Sequence, residues 1–403
     1  DDAEVDEMHS LDLIKIKAIP DDTILQKVEG SVKAIVCSHG HLDHIGAIPK
    51  LAHRYKAPII STPYATELIS QQIRGERKFG VNNKLVALSA GQRYTISPNL
   101  VLEFVRTQHS IIDTVTPVLH TPHGAIVYAC DFKFDRTPVI GLPPDFARFR
   151  QIGKEGVLAL IVESTYIHRP GRCPSERIAR DLVRDVITSF EDDKNAIIVS
   201  TFSSHISRVK TIAECAHEIG RKPVFLGRSM QKYSVTAEQM KFVSFPKTSS
   251  VFGERRTIDR VMRRMMKEGK DKFVPIVTGH QGEPGSILTR LAHGDTPYQL
   301  AKGDKVLFSA NVIPNPMNVG NRYAIEHRLK MAGARIFTDL HVSGHAYRED
   351  HYEFIQMLQP QHIIPAHADL KMTAGYAEFA SDLGYTANST VHPMRNGARL
   401  RIN

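Results

Sequence analysis

Four candidate metal ligands lie within six consecutive positions of this sequence, from His39 to His44. The segment reads His-Gly-His-Leu-Asp-His, so it offers three imidazoles and one carboxylate just after the apolar run KAIVC. Nitrogen and oxygen ligands without sulfur suit zinc, with manganese as the main alternative. In such a turn two histidines can face one cation, while the aspartate and the last histidine face a second one about 3.5 Å away. The segment therefore predicts two Zn²⁺ ions, or Mn²⁺ in their place, and metal-assisted hydrolysis.

Three more candidate ligands lie far apart in the sequence, each just after an apolar run. His109 follows VLEFVRTQ, Asp131 follows AIVYAC and His367 follows HIIPA. The carboxyl ends of strands are where α/β sheets bind ligands, so each side chain would lie at the expected edge. A single histidine or aspartate in that position is usually an ordinary loop residue. We expect all three within about 10 Å of the 39–44 segment, the limit for a shared pair of cations.

Short aliphatic runs recur along the chain and predict buried strands. Amphipathic segments follow several of them, over 175–190, 207–219 and 372–383. This alternation is typical of the α/β class. The runs are KAIVC (33–37), VLEFV (101–105), AIVYAC (125–130), LALIVE (158–163), AIIVS (196–200), FVPIVTG (273–279), KVLFSA (305–310), RIFTDL (335–340) and QHIIPA (361–366).

The middle third of the chain interrupts this pattern at Arg169-Pro170-Gly171 and at the basic stretch 255–272. We interpret the middle as an inserted domain. Methionines and a valine recur at helical spacing in the basic stretch, which predicts a solvated helix with one buried face. A surface that tracks phosphates is the alternative reading of its cationic side.

The composition limits the classes of partner and the compartment. The chain has 403 residues, enough for two domains, and a formal net charge of +9, which attracts polyanions such as nucleic acid. Its four cysteines are scattered without a C-x-x-C pair, which argues against a disulfide framework and a thiolate zinc site. No run approaches the length of a membrane span, and the first residues are acidic, unlike a signal peptide. We therefore expect a cytoplasmic protein with no membrane partner.

The order HGHLDH, His109, Asp131 and His367 resembles the metallo-β-lactamase superfamily. The resemblance implies an αββα sandwich with two zinc ions at its edge. One zinc would have three histidine ligands, His39, His41 and His109. The other would be bound by Asp43, His44 and His367, and Asp131 would bridge the two.

Other motifs resemble the β-CASP nucleases, a nucleic-acid-processing branch of that superfamily, and within it the ribonuclease J family. The signature motifs correspond to Glu163-Ser-Thr, His341-Val-Ser343-Gly-His345 and Ile-Pro-Ala-His367. The resemblance implies an α/β β-CASP domain over 168–338, inserted between two parts of the metallo-β-lactamase domain at 1–167 and 339–403. The segments that carry the ribonuclease J likeness are HRPGRCPSER (168–177), TFSSHISRVK (201–210), FLGRSM (225–230), TGHQGEPGSIL (278–288) and HVSGHA (341–346).

The resemblance implies a zinc-dependent ribonuclease that removes nucleotides from the 5′ end of single-stranded RNA, in RNA maturation and decay. Catalytic roles would fall on Asp43, Glu163 and His345. Asp43 or Asp131 would orient the attacking water, His345 would stabilise charge or protonate the leaving oxygen, and Glu163 would fix a histidine tautomer. A 5′-monophosphate would be held between the domains by hydroxyls and imidazoles, from Ser203, Ser204, His341, Ser343 and His345.

The sequence departs from the family pattern in three places. The turn 203–207 reads Ser-Ser-His-Ile-Ser, where the bacterial pattern has Ala-Ser-Asn-Ile-His. The first strands of the fold and their glycine-rich segment are not found before the metal motif, which predicts that the natural chain extends upstream of Asp1. The sequence also lacks the additional carboxyl-terminal domain of bacterial members and resembles a shorter archaeal form, so whether it forms a homodimer stays open.

Three other functions stay open at this point. The nearest is an endonuclease of the cleavage-factor type from the same branch, which would cut RNA internally, although no KH module with its GXXG loop is visible. A small-molecule hydrolase of lactones, thioesters or β-lactams would need neither the basic surface nor the β-CASP motifs. An RNA-binding protein that has lost its chemistry would have no need of the full set of candidate ligands.

Overall fold

A computed structural model of the chain describes residues 9–28 and 30–402, apart from the side chain of Arg77. The strands are β1 (Ile35–Val36), β2 (Ile59–Ser61), β3 (Leu85–Ala87), β4 (Arg93–Ser97), β5 (Leu100–Arg106), β6 (Val115–Thr121), β7 (Gly124–Ala129), β8 (Val157–Glu163), β9 (Ile197–Ser200), β10 (Lys222–Leu226), β11 (Ser250–Phe252), β12 (Phe273–Val277), β13 (Lys305–Phe308), β14 (Arg335–Phe337) and β15 (His362–Ala366).

The helices alternate with these strands over most of the chain. Short 3-10 helices span Asp22–Lys27, Ala52–Arg54, Arg77–Phe79 and Lys270–Lys272. The α-helices are α1 (Ser10–Lys15), α2 (Leu42–Ile45), α3 (Ile48–Leu51), α4 (Pro63–Gly75), α5 (Phe146–Glu155), α6 (Glu176–Thr188), α7 (Ile206–Glu218), α8 (Arg228–Gln239), α9 (Arg255–Glu268), α10 (Ile287–Ala292), α11 (Pro316–Met331), α12 (Arg348–Leu358) and α13 (Leu370–Ser381). Among the described residues, no helix is both long and apolar enough to cross a membrane.

Two sheets pack face to face in the first part of the fold. Strands β1, β2 and β3 form a small parallel sheet, and the larger sheet has the strand order β15-β8-β7-β6-β5-β4. Ile60 of β2 and Phe104 of β5 are fully buried in the same apolar cluster between the sheets. Strands β5, β6 and β7 are antiparallel, whereas β8 and β15 run parallel to β7. The carboxyl ends of β5, β7, β8 and β15 therefore meet at one edge.

Helices cover both outer faces of this sandwich. Leu68 of α4 packs in one core cluster with Ile59 of the small sheet. On the other side, Phe149 of α5 and Phe354 of α12 are fully buried against the larger sheet. Burial of each such apolar side chain contributes roughly 1.5–3 kcal/mol. The layer order is α/β/β/α, as the resemblance to the metallo-β-lactamase superfamily implies.

The third sheet is built from residues 197–337 and has the order β11-β10-β12-β9-β13-β14, with all neighbours parallel. Its central strands are buried on both faces, as expected of a parallel sheet covered by helices. The chain leaves the sandwich after β8 and returns to it in β15, which pairs with β8. The middle of the chain is therefore an insertion, and the domain boundaries at 167/168 and 338/339 stay a prediction.

All nine predicted strands are present, and the predicted helices correspond to α6, α7 and α13. The basic stretch forms α9, whose residues Ile258, Met262 and Met265 are buried, so the prediction of a helix with one buried face is confirmed. Six strands were not predicted: β2, β3, β4, β6, β10 and β11. Two of these contain Pro117 and Pro223, and proline normally argues against a strand inside a sheet.

Candidate metal centre

The predicted ligands lie at one edge of the sandwich because each follows a strand that ends there. His39 and His41 come shortly after β1, and the short helix α2 begins at Leu42, directly after His41. His109, Asp131 and His367 follow β5, β7 and β15 at distances of one to three residues. Strands β5, β7 and β15 run in the same direction, so the polar residues that follow them lie at the same edge of the sheet.

The carboxylate of Asp131 lies at the centre of these side chains. Its Oδ2 atom is 3.4 Å from Nε2 of His39, 3.3 Å from Nε2 of His109 and 3.2 Å from Nε2 of His44. Its Oδ1 atom is 3.1 Å from Nε2 of His367. These four histidines and the aspartate come from distant parts of the sequence and converge well within the 10 Å expected of a shared site.

Three groups of possible ligands share Asp131, and the third contains Glu163 and His345. The other two contain the predicted metal-binding histidines, and we call these two the ligand groups. Within each group the possible ligand atoms all lie within 4.8 Å of one another. The first ligand group is His39, His41, His109 and Asp131, and the second is His44, Cys130, Asp131 and His367.

Asp43 and Cys130 differ from what the sequence predicts for the second ligand group. Asp43 lies beside it, with Oδ2 3.4 Å from Nε2 of His44, but its side chain is 62% exposed and it belongs to neither group. Cys130 belongs to the second group, and its Sγ is 3.9 Å from Nδ1 of His44. The sequence argued against a thiolate because no C-x-x-C pair is present. The only signal for Cys130 in the sequence is its position directly before Asp131.

Unpartnered polar atoms show that the donor set fits divalent cations. Nε2 of His39, Nε2 of His44 and Oδ1 of Asp131 are buried and make no hydrogen bond. Burying such atoms without a partner costs free energy, and a cation bound between them would offset that cost. The described residues therefore form a divalent metal site.

Hydrogen bonds behind the first ligand group fix its ring orientations. Nδ1 of His39 is 2.9 Å from the hydroxyl of Ser38. Nδ1 of His109 donates to the carbonyl oxygen of Gly344 at 2.7 Å, which leaves Nε2 without a proton and directed towards Asp131. Partners of this kind set the tautomer of a metal-binding histidine and raise its basicity.

Burial and charge favour the metal-binding protonation states of His109 and Asp131. Burial holds the pKa of His109 well below its usual value, so the imidazole is neutral. Burial raises the pKa of Asp131, but the close approach of His39 and His44 outweighs it and holds the pKa well below the usual range. Neutral imidazole and ionised carboxylate are the forms that coordinate a divalent cation.

Glu163 and His345 form a pair beside the ligand groups. Glu163 ends β8 and is fully buried. Its Oε2 accepts from Nδ1 of His345 at 2.6 Å, and its Oε1 accepts from the amide of Phe132 at 3.0 Å. Burial lowers the pKa of His345, but Glu163 outweighs that effect and raises it to about 9. The ring centroids of His345 and His109 are 4.8 Å apart, so a protonated imidazole lies next to the metal site.

The predicted substrate residues lie around the turn between β9 and α7. Ser203 and Ser204 are half-buried in that turn. The ring of His341 is 6.4 Å from the rings of Phe202 and His205, which flank the two serines. The structure therefore brings His341 to this turn.

A cleft between the sandwich and the inserted domain is lined by His109 and Ser343 on one side and by His205 and Ser207 on the other. Ser343 and His345 lie on the side of the metal ligands. The hydroxyl of Ser343 accepts from the amide of His345 at 3.0 Å. The carbonyl oxygen of Ser343 accepts from the buried amine of Lys133 at 2.9 Å. The sequence did not single out Lys133, although it follows Asp131 by only two residues. The hydrogen bond from Lys133 stabilises the segment 343–345, which includes Gly344 and His345.

A buried network of charged side chains, which the sequence did not predict, connects the turn 201–205 with the 340–345 segment. Nε and Nη2 of Arg208 donate to the two carboxylate oxygens of Glu176, at 2.7 and 2.8 Å. Arg208 also donates to the carbonyl oxygens of Ser309 and Leu340, at 2.9 Å each. Arg208 belongs to α7 and Glu176 to α6, so this network fixes the turn 201–205 relative to the 340–345 segment.

Comparisons with known families agree with this arrangement. Residues 27–137 match the metallo-beta-lactamase superfamily. Residues 194–330 match the family described as ribonuclease J, beta-CASP domain. Residues 333–391 match the family described as Zn-dependent metallo-hydrolase RNA specificity domain. The predicted fold class, a metallo-β-lactamase sandwich with an inserted β-CASP domain, is confirmed.

Full-length similarity identifies the family. The chain is 50% identical over 400 residues to ribonuclease J of Methanocaldococcus jannaschii, covering 99% of this chain and 89% of that protein. It is 44% identical over 403 residues to ribonuclease J of Pyrococcus abyssi, covering 100% and 88%. A crystal structure of a protein of unknown function from Enterococcus faecalis V583 shares the fold, with a TM-score of 0.57 at 18% identity over 83% of this chain and 75% of that one. The chain belongs to the ribonuclease J family of metal-dependent ribonucleases.

Proposed function

We propose that this protein hydrolyses RNA from the 5′ end, releases nucleotides and prefers a 5′-monophosphate, in RNA maturation and decay. The observation that carries the proposal is His345. Its ring lies 4.8 Å from that of His109, and the buried carboxylate of Glu163 holds its Nδ1 at 2.6 Å. A positioned, protonated imidazole beside a metal site suits the charge that develops when a phosphodiester is attacked.

We propose two Zn²⁺ ions as the resident metals, with Mn²⁺ as the alternative. His39, His41 and His109 would hold one of them. Asp43, His44 and His367 would hold the other, and Asp131 would lie between the two. When bound, the cations supply Lewis-acid stabilisation of phosphate oxygens and make attack by water feasible near neutral pH.

Side chains of this protein would orient the reactants. Asp43, exposed at the mouth of the second ligand group, would accept a hydrogen bond from the attacking water. His345 would donate to a phosphate oxygen or to the leaving oxygen. Glu163 accepts the Nδ1 proton of His345, so the opposite side of the ring is left for the RNA.

We propose that the 5′-monophosphate binds where the turn 201–205 leads into α7. The amides at a helix amino terminus and nearby hydroxyls bind phosphate groups, and Ser203 and Ser204 lie in this turn. His341 and Ser343 face the turn from the sandwich side. A terminal phosphate held here would align the first phosphodiester with the metal centre.

The proposal is tested with one single-stranded RNA that carries a 5′-monophosphate, a 5′-triphosphate or a 5′-hydroxyl. The products of the three substrates are separated at early times, with and without chelator. We expect release of mononucleotides from the monophosphate form, much less from the other two, and none in chelator. Internal fragments from all three substrates would contradict the proposal and indicate an endonuclease. Equal activity in metal-stripped protein would contradict the metal mechanism.

A further inference from the structure

Helix α9 carries a stripe of cations on its solvent face. Arg256, Arg260, Arg263 and Lys267 are all exposed. They recur at intervals of three or four residues, and about 100° of rotation per residue brings their side chains onto one face of the helix. We call these four residues the cationic stripe.

No described carboxylate neutralises the cationic stripe. The acidic groups of this helix have other partners: Glu268 pairs with Arg264 and Asp259 pairs with Arg290. Glu254 accepts a hydrogen bond from Thr257. Within residues 9–28 and 30–402, no carboxylate lies within ion-pair distance of the four stripe residues. Their charges are therefore free to bind an anionic partner.

The fold does not need the cationic stripe. Helix α9 is anchored by Ile258, Met262 and Met265, which lie on the opposite face and pack in the outer core of the inserted sheet. Helix propensity alone would accept glutamate or glutamine at the stripe positions as readily as arginine or lysine. Four like charges on one face repel each other, so this arrangement costs stability unless a partner neutralises it.

The stripe begins at the edge of the sheet that also carries the catalytic cleft. Helix α9 follows β11, which is parallel to β9, so its amino terminus lies at the same edge as the turn 201–205. The stripe runs over twelve residues, from Arg256 to Lys267, and its ends are about 17 Å apart along the helix axis. At its far end Arg264, and more weakly Lys222 and Lys272, lower the pKa of Glu268, so further cations lie there.

We propose that the cationic stripe is a second RNA-binding surface, outside the cleft, that contacts the phosphate backbone of a long substrate. This inference rests on the proposed function and extends it to substrates longer than the cleft. Successive cations along the stripe are about one helical turn, or 5.4 Å, apart, which suits contact with successive phosphates. Helix α9 contains no aromatic residue, so the contact would be electrostatic and independent of base sequence.

An anionic membrane is the competing occupant of such a surface, and the burial pattern argues against it. A helix that lies on a membrane needs an apolar face available to the lipid. The apolar face of α9 is used in the core of the inserted domain. Met266 is the one exposed large apolar side chain of α9, which is too little to anchor the helix in lipid, so the charged face favours RNA.

The test compares two double variants with the same loss of charge. Arg260→Gln with Arg263→Gln removes two cations of the stripe. Arg180→Gln with Arg184→Gln removes two arginines from α6, where they pair with Asp181 and Glu218. Binding of a long and a short 5′-monophosphorylated RNA is measured in EDTA over a range of salt concentrations, and turnover of the short RNA is measured with metal.

Each contact with a phosphate of single-stranded RNA adds about 0.7 to the magnitude of the slope of log affinity against log salt concentration. Loss of two contacts in the stripe variant should therefore reduce this slope by about 1.4. At 0.1 M salt the variant should bind long RNA about 25-fold more weakly. Turnover of the short RNA should be unchanged. The α6 variant should bind both RNAs like the unmodified protein. This pattern would support the cationic stripe as an RNA site.

Equal affinities and slopes for the two double variants would overturn the inference. Reduced binding of phosphatidylglycerol vesicles by the stripe variant, with unchanged RNA binding, would also overturn it and assign the surface to a membrane. The binding measurement requires no turnover. If the unmodified protein released no nucleotide from the 5′ end, the proposed function would fail while a stripe-dependent affinity for long RNA would still support the surface.

Discussion

The two ligand groups of the metal centre differ in how deeply the protein encloses them. In the first group the side chains of His39, His109 and Asp131 are 0%, 2% and 3% exposed, and His41 is half-buried. In the second group His44 and His367 are 12% and 31% exposed, and neighbouring Asp43 is 62% exposed. One cation position is thus closed in by protein, and the other opens onto the cleft.

The enclosed group is also the better supported one. Ser38 and Gly344 fix the rings of His39 and His109 from behind at 2.9 and 2.7 Å. Among the described residues, Nδ1 of His44 has a single polar contact, with the sulfur of Cys130 at 3.9 Å. His367 has a left-handed backbone with φ of 50°. One position is therefore organised for tight binding of a cation, and the other for exchange with water and substrate.

The largest expected effect is that of His109→Ala in the enclosed group. Loss of this ligand opens the first position and removes one of the four imidazoles that contact the carboxylate of Asp131. We expect turnover to fall by about a thousandfold or more, because metal assistance contributes several kcal/mol to the transition state. Kinetics with RNA and metal content by elemental analysis measure this. His120→Ala is the control, since His120 pairs with Glu103 outside the metal centre and its loss should leave the metal content unchanged.

A smaller effect on metal content is expected from His367→Ala in the open group. The enclosed position keeps all its ligands, so we expect about one metal per chain in place of two, with turnover reduced by about a hundredfold. Elemental analysis after gel filtration gives the stoichiometry. Retention of both metals would contradict the separation into an enclosed and an open position.

The sequence could predict which side chains meet at this edge of the sandwich but not the difference between the two groups. His39, His41 and His44 stand together in one turn, and His109, Asp131 and His367 each follow an aliphatic strand, so residue type and position were sufficient. Depth of burial depends on how distant strands and the 340–345 segment pack, which spacing does not encode. For the same reason the sequence missed Lys133 and Cys130, whose roles arise only from contacts across the fold.

The supporting contacts should have intermediate effects that differ between the groups. Ser38→Ala removes the hydroxyl behind His39, and we expect the affinity of the tighter metal to fall about 10- to 100-fold. Cys130→Ser replaces only a long sulfur contact, so affinity should change by less than about threefold. Competition with a chelating dye measures both. A larger effect for Cys130→Ser than for Ser38→Ala would indicate that the thiolate is a true ligand.

The smallest effect concerns acid stability in the core beside Phe132, the residue that follows Asp131. His351 is fully buried, and burial lowers its pKa to about 3 from 6.5. Because the folded pKa lies below the unfolded one, the stability that depends on neutral His351 is complete above about pH 6.5 and is lost as the pH falls towards 3. When the pH falls from 7 to 5, His351 should lower the free energy of unfolding by about 2 kcal/mol.

The variant His351→Leu should not show this part of the pH dependence. Denaturant unfolding of both proteins in EDTA at the two pH values gives the difference directly, because the other histidines are common to both. Identical pH dependence for the two proteins would show that His351 is protonated in the folded state or reaches solvent.

Anomalous diffraction at the zinc edge, from crystals grown with zinc, tests the metal centre most directly. We expect two peaks about 3.5 Å apart on either side of Asp131. The peak among His39, His41 and His109 should persist after a short soak in chelator, while the peak beside His44 and His367 should weaken first. A single peak away from Asp131, or no peak in crystals of a fully active protein, would contradict the account.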